Sequence, residues 1–459
     1  MRSDNIVALS TPSGEAGIGV IRLSGETVIQ EIDRVFLPFK EGALLQEKSG
    51  YTLNLGWILD EKGYRIDQVL VGVMKEPRSY TGENVIEINC HGGSMPVRRC
   101  LERCLELGIR MAEPGEFTKR AFLNGRLDLS QAEAVIDVIR AKTDRGLKLA
   151  MEQLEGVNSR YIVEIEEDLL RVNAMVEASI DFPDDVGDLD NEEARALLQG
   201  VIETMDRFLE AGKRGQIYRD GASIAICGKP NVGKSSLLNV LVRKEKAIVT
   251  EIPGTTRDVI EEYINIKGIP VKVMDTAGIH VTEDFVEKLG IERSLSAIEK
   301  ADVVLFLLDM GSGLTEEDLQ IINKIDKKHL MILVNKEDLE EKKIDEGEIE
   351  NRFPGIRVIR GSVKEETGIE DLENALKQFF LQGVSGQDEL EIMMNIRHQK
   401  ALVKSRQHVK AVIDVLEVVT LDCLAVDLQE SLVYLGEITG KTLKEEAIER
   451  IFHDFCIGK

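Results

Sequence analysis

Positive charge is what this sequence is short of. Its 58 lysines and arginines face 82 aspartates and glutamates, a formal net charge of −24. So acidic a surface excludes a general nucleic-acid coat and an anionic membrane as partners, because both demand cationic side chains. A specific nucleic-acid contact would need a local basic patch or a helper protein. Long apolar runs are missing too: the longest, 303–308, reads as a buried strand rather than a bilayer span. The opening Met1-Arg2-Ser3-Asp4-Asn5 leads straight into short alternating segments, without the pattern of a signal peptide. A cytoplasmic protein with no membrane partner is the expectation. Six cysteines, at 90, 100, 104, 227, 423 and 456, form no C-x-x-C pair. A disulfide framework is therefore not expected in a reducing compartment. Cys100 and Cys104 share one side of a predicted helix, with Cys90-His91 nearby in sequence. Small buried apolar side chains are expected there, in preference to a metal site.

What is present is a soluble composition, 43% apolar and 31% charged, over 459 residues, too many for one ordinary domain. Residues 1–118 read as an α+β domain with strand-like runs at 6–9, 19–23, 51–58, 68–74 and 84–89. A helix is predicted over 94–107. Arg22 and Glu87 are charged residues within apolar strands, so each could line a cleft; a solvent-facing side chain is otherwise the default. From Leu129 the apolar spacing turns helical and continues through Val176, until Asp181-Phe182-Pro183 stops it. Another helix is predicted over 192–212, and helical texture returns over 389–455. The economical architecture is a multidomain α/β chain. It has one discontinuous helical domain (119–217 and 383–459) interrupted by a domain at 218–382.

That insert opens with Gly228-Lys229-Pro230-Asn231-Val232-Gly233-Lys234-Ser235, set between a strand-like run and a helix-like one. The order strand, glycine loop, helix makes G-x-x-x-x-G-K-S a phosphate cradle: backbone N–H groups and the helix N-terminus converge on one anion. Lys234 would neutralise β- and γ-phosphates, and Ser235 would hold Mg²⁺. Further strands at 262–266, 271–275, 303–309, 331–335 and 357–361, mostly separated by helices, describe a mainly parallel sheet. The acidic run 340–350 reads as a solvated helix face.

One loop fits an ATPase as well as a GTPase; the strand ends decide. Asp275-Thr276-Ala277-Gly278 offers a carboxylate to Mg²⁺ through water and a glycine N–H to γ-phosphate. Asn335-Lys336-Glu337-Asp338 follows the pattern N-K-x-D, in which Asp338 accepts from guanine N1–H and N2–H, donors that adenine lacks. Lys336 would lie along the base, Asn335 would tie its loop to the phosphate loop, and Ser362-Val363-Lys364 would meet guanine O6. Thr256, in Gly254-Thr255-Thr256, would cover Mg²⁺. Four or five such motifs in order, each at a strand end, read as a Ras-like P-loop GTPase domain. Ile279 stands where many GTPases carry a water-orienting glutamine, so the catalytic polar group must come from elsewhere. Asn231 could ligate a monovalent cation that supplies positive charge to the phosphates.

Stretches outside these motifs complete the picture. They are Thr11-Pro12 with Gly17-Ile18-Gly19, Ser79-Tyr80-Thr81-Gly82-Glu83, His91-Gly92-Gly93, PGEFTKRAFLNGRLDL at 114–129, Asp181-Phe182-Pro183, and the terminal Phe455-Cys456-Ile457-Gly458-Lys459. Together they resemble the MnmE (TrmE) family of tRNA-uridine-modification GTPases. The resemblance implies that 1–118 binds tetrahydrofolate (5-formyl- or methylene-tetrahydrofolate) and dimerises. Its ligand contacts would be Arg22, Glu87, Arg126 and Lys459. The implied GTP-binding set runs Asn231-Val232-Gly233-Lys234-Ser235-Ser236, Thr250-Glu251-Ile252-Pro253-Gly254-Thr255-Thr256, Asp275-Thr276-Ala277-Gly278, Asn335-Lys336 with Asp338, and Ser362-Val363-Lys364. Ser235 and Thr256 would hold Mg²⁺, and Asn231, Thr250, Ile252 and Thr255 would hold K⁺. Glu287, Lys234 and Cys456 become the catalytic candidates, Glu287 through the attacking water. The implied partners are a second copy, tRNA and the flavoprotein MnmG (GidA), whose own surface would supply the missing positive charge. Two other readings stand beside this one: a switch GTPase of ribosome assembly, which would usually carry a basic appendage, and a folate-dependent transferase with a regulatory GTPase attached.

Overall fold

A computed structural model of the chain describes residues 4–12, 14–40, 44–244, 263–274, 298–345, 347–382, 390–453, 455 and 458. Two sheets and a helical bundle organise them. The first sheet comprises β1 (Ile6–Leu9), β2 (Ile18–Ser24), β3 (Phe36–Pro38), β4 (Thr52–Leu59), β5 (Arg65–Met74), β6 (Val85–His91) and β7 (Arg110–Met111), ordered β3-β4-β5-β6-β2-β1-β7. All of its pairings are antiparallel except β1 with β7. Period-two alternation sends Ile21, Leu23, Val69, Val71, Val73, Ile86, Ile88 and Cys90 into a core that Cys100 and Cys104, on the helix Ser94–Glu106, help to close. The short strands β3 and β7 and the helix Val28–Asp33 are additions to the predicted pattern. Each is too brief to establish a period.

The second sheet comprises β8 (Ala222–Cys227), β9 (Tyr263–Ile266), β10 (Ile269–Met274), β11 (Val303–Asp309), β12 (Leu330–Asn335) and β13 (Arg357–Arg360), ordered β13-β12-β11-β8-β10-β9. Only β9 with β10 is antiparallel. Residues of β11 and β12 alternate between two cores, Leu305, Leu307 and Leu333 on one face and Phe306, Leu308 and Val334 on the other. Burial on both faces is why these strands are continuous apolar runs. The acidic run departs from its expected form. Glu340 and Glu341 lie exposed outside any helix, which spans only Glu348–Arg352, and Ile344 turns into the core.

Four helices pack around a third core: Val157–Asp181 and Asn191–Asp220 precede the second sheet, and Ile396–Val415 and Leu421–Thr439 follow it. The helical pattern starting at Leu129 is broken into Leu129–Arg140, Asp144–Leu154 and Val157–Asp181. Thr143 caps the second by accepting from Gly146 N, and Gly156, at φ 84°, opens the third. Asn191–Asp220 also runs eight residues past the expected stop at Gly212. There and at Gly215 the absent Cβ admits Met394 and the Ile392 backbone, so these glycines serve packing rather than termination.

Candidate active site

The phosphate loop leaves β8 at Gly228, whose φ of 138° brings it against Leu307 O, a position no side chain tolerates. Asn231 is exposed and left-handed at φ 62°, a conformation that asparagine adopts more readily than most residues. Gly233, at φ 108°, leads into the helix Lys234–Lys244, with Ser235 and Ser236 exposed in its first turn. Lys234 Nζ donates to Gly228 O at 2.6 Å and Lys229 O at 2.7 Å, so the ammonium lies across the loop it serves. Partial burial lowers its pKa from the usual lysine value.

Asn335, buried at the end of β12, joins two loops. Its Nδ2 donates to Val232 O at 2.7 Å, and its Oδ1 accepts from Val363 N at 2.9 Å. Both halves of the amide are thereby used, and the tie to the phosphate loop expected from sequence is present. Lys336 is left-handed at φ 66°, and its Nζ reaches Asp309 Oδ2 at 2.8 Å. Burial alone would raise the Asp309 carboxyl, but Lys336 and the Gly311 N–H hold it below the usual range. Asp338 is exposed, and the Ser362 hydroxyl beside it lowers its pKa. Lys364 extends into solvent next to Glu365. The structure therefore gathers Asn231 to Ser236, Asn335, Lys336, Asp338 and Ser362 to Lys364 at one end of the second sheet.

Sequence reasoning missed three supporting residues. Asp309 orients Lys336, while Asp318 and Thr315 anchor Lys229 at 2.8 and 2.9 Å. The available signal was position: Asp309 ends a strand aligned with β12, where Asp309 pairs with Asn335.

A second constellation lies on the first sheet. Arg22 and Glu87 face each other across β2 and β6, with Arg22 Nε and Nη2 reaching Glu87 Oε1 at 2.9 and 2.8 Å. The Arg22 guanidinium lies 5.5 Å from the Tyr80 ring centroid, and that of Arg126 lies 5.7 Å from it. Burial raises the Tyr80 pKa, and its hydroxyl bonds Thr118 at 2.8 Å. The chain's tail arrives here: Gly458 O accepts from Ser10 Oγ at 3.2 Å and from Arg22 Nη1 at 3.4 Å. Three expected residues thus converge, and Tyr80, unassigned from sequence, stands between the two arginines. Other members of the quoted stretches bond to one another. Arg120 binds Glu83, Glu116 and Asp4, and Asn124 donates to Thr81 O at 2.7 Å.

Thr250, Glu251, Ile252, Pro253, Gly254, Thr255, Thr256, Asp275, Thr276, Ala277, Gly278, Ile279, Glu287, Cys456 and Lys459 lie outside the described residues. Among the described residues no helix is long and apolar enough to cross a membrane.

Comparison with known proteins matches the chain in two blocks. Residues 5–126 match the model of the GTP-binding protein TrmE N-terminus, and residues 129–456 that of the MnmE helical domain. The tRNA modification GTPase MnmE of Syntrophomonas wolfei is 59% identical over 459 residues, spanning 100% of both chains. That of Alkaliphilus oremlandii is 46% identical, spanning 99% of each. Among solved structures, Era from Aquifex aeolicus overlaps 41% of this chain and 66% of that chain at 25% identity, with a TM-score of 0.30, too slight a likeness to argue from. Full-length identity at this level, over sequence that contains both constellations, places the chain in the MnmE (TrmE) family.

Proposed function

We propose that this chain is a Mg²⁺-dependent GTP hydrolase. Its turnover, stimulated by K⁺, drives folate-dependent addition of a carboxymethylaminomethyl-type group to C5 of the wobble uridine in certain tRNAs. The observation that carries the GTPase reading is the Asn335 bridge, which sets the N-K-x-D loop beside both the phosphate loop and the Ser362-Val363-Lys364 loop. Asp338 then offers its carboxylate to guanine N1–H and N2–H, and a backbone N–H of Ser362-Val363-Lys364 would meet O6. In this reading residues 218–382 bind the nucleotide and residues 1–118 bind tetrahydrofolate and dimerise. Helical segments 119–217 and 383–459 join them.

Ser235 and Thr256 would hold Mg²⁺, and Asn231, Thr250, Ile252 and Thr255 would hold K⁺. Bound there, the cations supply positive charge against the charge that develops on the phosphates. The fit of Asn231 is supported by its exposure and its left-handed backbone, which keep its amide at the loop surface. Lys234 binds phosphate by exchanging two carbonyl partners for phosphate oxygens, and Glu287 orients the attacking water. Hydrolysis is expected to run faster in K⁺ than in Na⁺ at equal ionic strength; equal rates would remove the cation role.

The side chains around Tyr80 suit a folate. Both Arg22 bonds go to Glu87 Oε1, so Oε2 is the oxygen through which Glu87 would accept from a pterin edge. Arg22 and Arg126 bring cationic planes to an aromatic face, as a flat, partly anionic ligand requires. The tail that lays Gly458 on Arg22 carries Cys456 and Lys459, which we assign to thiol delivery and ligand contact. MnmG (GidA) would provide the basic tRNA surface that a chain of net charge −24 lacks. The deciding experiment is mass analysis of tRNA nucleosides from cells lacking this protein, complemented with wild type, Lys234→Ala or Cys456→Ser. The wobble modification should vanish in the deletion and return only with hydrolysis-competent protein. Unchanged wobble uridines in the deletion would overturn the proposal.

A further inference from the structure

On the face of β6 opposite Glu87, the first sheet carries a cluster that neither constellation uses. We propose that Asp67, Cys90 and Cys100 form a binding site for a thiophilic divalent metal ion such as Zn²⁺. One carboxylate oxygen and two sulfurs, from β5, β6 and the helix Ser94–Glu106, lie within 4.8 Å of one another. Cys90 and Cys100 are 2% and 0% exposed, in a core otherwise made of Val69, Val71, Ile88 and their neighbours.

Thiols alone would read as small apolar fillers, as expected from the sequence. Asp67 is what that reading does not explain. Its side chain is only 9% exposed, yet it extends from a strand whose buried neighbours on the same face are valines. It is also held in place: Oδ1 pairs with His91 Nδ1 at 2.6 Å and Oδ2 accepts from His91 N at 2.8 Å. Ligating carboxylates are themselves held by outer hydrogen bonds, and His91 supplies them here. Two thiolates and one carboxylate suit Zn²⁺ in softness and charge, and disfavour Mg²⁺, which takes oxygen ligands. Three protein ligands leave a fourth position for water or a small donor.

A cavity of about 280 Å³, lined by Gly19, Gly92, Val97, Arg98 and Leu101 among others, adjoins the cluster at Gly19. Cys90 Sγ donates to Gly19 O at 3.3 Å, and a methyl group on Gly19 would sit 3.4 Å from that sulfur.

The test uses the full-length protein, reduced and stripped with a chelator, with Co²⁺ as the optical probe and Zn²⁺ as competitor. A thiolate-to-cobalt charge-transfer band should grow to one equivalent per chain and disappear on adding one equivalent of Zn²⁺. Cys90→Ala and Cys100→Ala should each abolish the band, while Cys104→Ala, Cys423→Ser and Cys456→Ser should leave it intact. Asp67→Asn should weaken Zn²⁺ binding by roughly tenfold or more. If a cysteine variant fails to fold, the wild-type stoichiometry and the Asp67→Asn affinity still decide. No thiolate band, a band that survives Cys90→Ala, or reduced protein that binds neither ion would overturn the proposal. None of these outcomes depends on GTP or folate binding.

Discussion

Asn335 shows how much one buried side chain can settle. Its amide satisfies the Val232 carbonyl and the Val363 N–H together, so three loops keep one spacing before any ligand arrives. Asp338, three residues on, is free to act because it is exposed and held anionic by the Ser362 hydroxyl. Replacing Asp338 with Asn exchanges an acceptor for a donor. GTP affinity should fall by roughly tenfold or more through loss of a charge-assisted pair, with XTP binding gained. Competition binding with the two nucleotides checks this, and undiminished GTP affinity without XTP binding would reject the role. The first sheet repeats the lesson in another chemistry. Arg22 and Glu87 were legible as charges inside apolar strands, but their partner Tyr80 was not, because a tyrosine's value there depends on what stacks against it.

Among the elements, the helix Asn191–Asp220 carries contrasting glycines. A Cβ on Gly215 would strike the Ile392 backbone, whereas one on Gly200 would meet nothing within 4 Å. Gly215→Ala should therefore destabilise by about 1–3 kcal/mol, as overpacking does. Gly200→Ala should stabilise by roughly 0.5–1 kcal/mol through helix propensity. Urea unfolding of the two variants separates these effects, and equal midpoints would contradict the packing role. A buried charge cluster ties the same bundle to Leu129–Arg140. Glu133 pairs with Arg397 at 2.7 Å and His398 at 2.6 Å, and Arg219 donates to Asp137 at 2.8 Å. Burial alone would raise the Glu133 carboxyl, but His398 and Arg397 pull it down to about 2 from its usual 4.5. A depressed carboxyl contributes stability that is complete above pH 4.5 and lost as pH falls toward 2. Asp137, raised by burial despite Arg219, works in the opposite direction and offsets part of that slope. Glu133→Gln should cost about 3 kcal/mol near neutrality, because it takes the carboxylate from Arg397. The variant should also lose acid sensitivity in that window. Unfolding free energies measured from pH 2 to 7 decide the point, and parallel curves for wild type and variant would refute it.

At the scale of the whole molecule, the outer face of the first sheet is unusually apolar. Leu37, Phe39, Leu53, Leu55 and Leu70 are all at least 40% exposed, and β4–β5 register sets Leu55 opposite Leu70. Exposed apolar surface of this kind is where a partner would dock, in keeping with the dimerisation proposed for residues 1–118. Leu53→Asp combined with Leu70→Asp should convert a dimer into a monomer by light scattering, with unchanged circular dichroism. A wild-type monomer, or a double variant that stays dimeric, would exclude this surface as the interface. The segment before the helix Asp144–Leu154 also meets the second sheet through specific contacts. Lys142 lies 3.3 Å from the Tyr263 ring centroid, and Thr143 Oγ1 donates to Gly268 O at 2.8 Å, both on the β9–β10 hairpin.

The sequence by itself determined the local chemistry. The strand–loop–helix order around Gly228 to Ser235, the strand that ends at Asn335, and the strands that carry Arg22 and Glu87 lie where their sequence pattern put them. Each depends on neighbours within a few residues, where period and backbone preference act directly. Only the tertiary structure decided which distant groups meet. It placed Gly458 on Arg22, Tyr80 between two arginines, Asp318 against Lys229 and Asp67 beside two buried thiols. It also turned Gly212 from an expected helix stop into a packing point against Met394. Such contacts arise from packing between elements far apart in the chain, and no local periodicity encodes them.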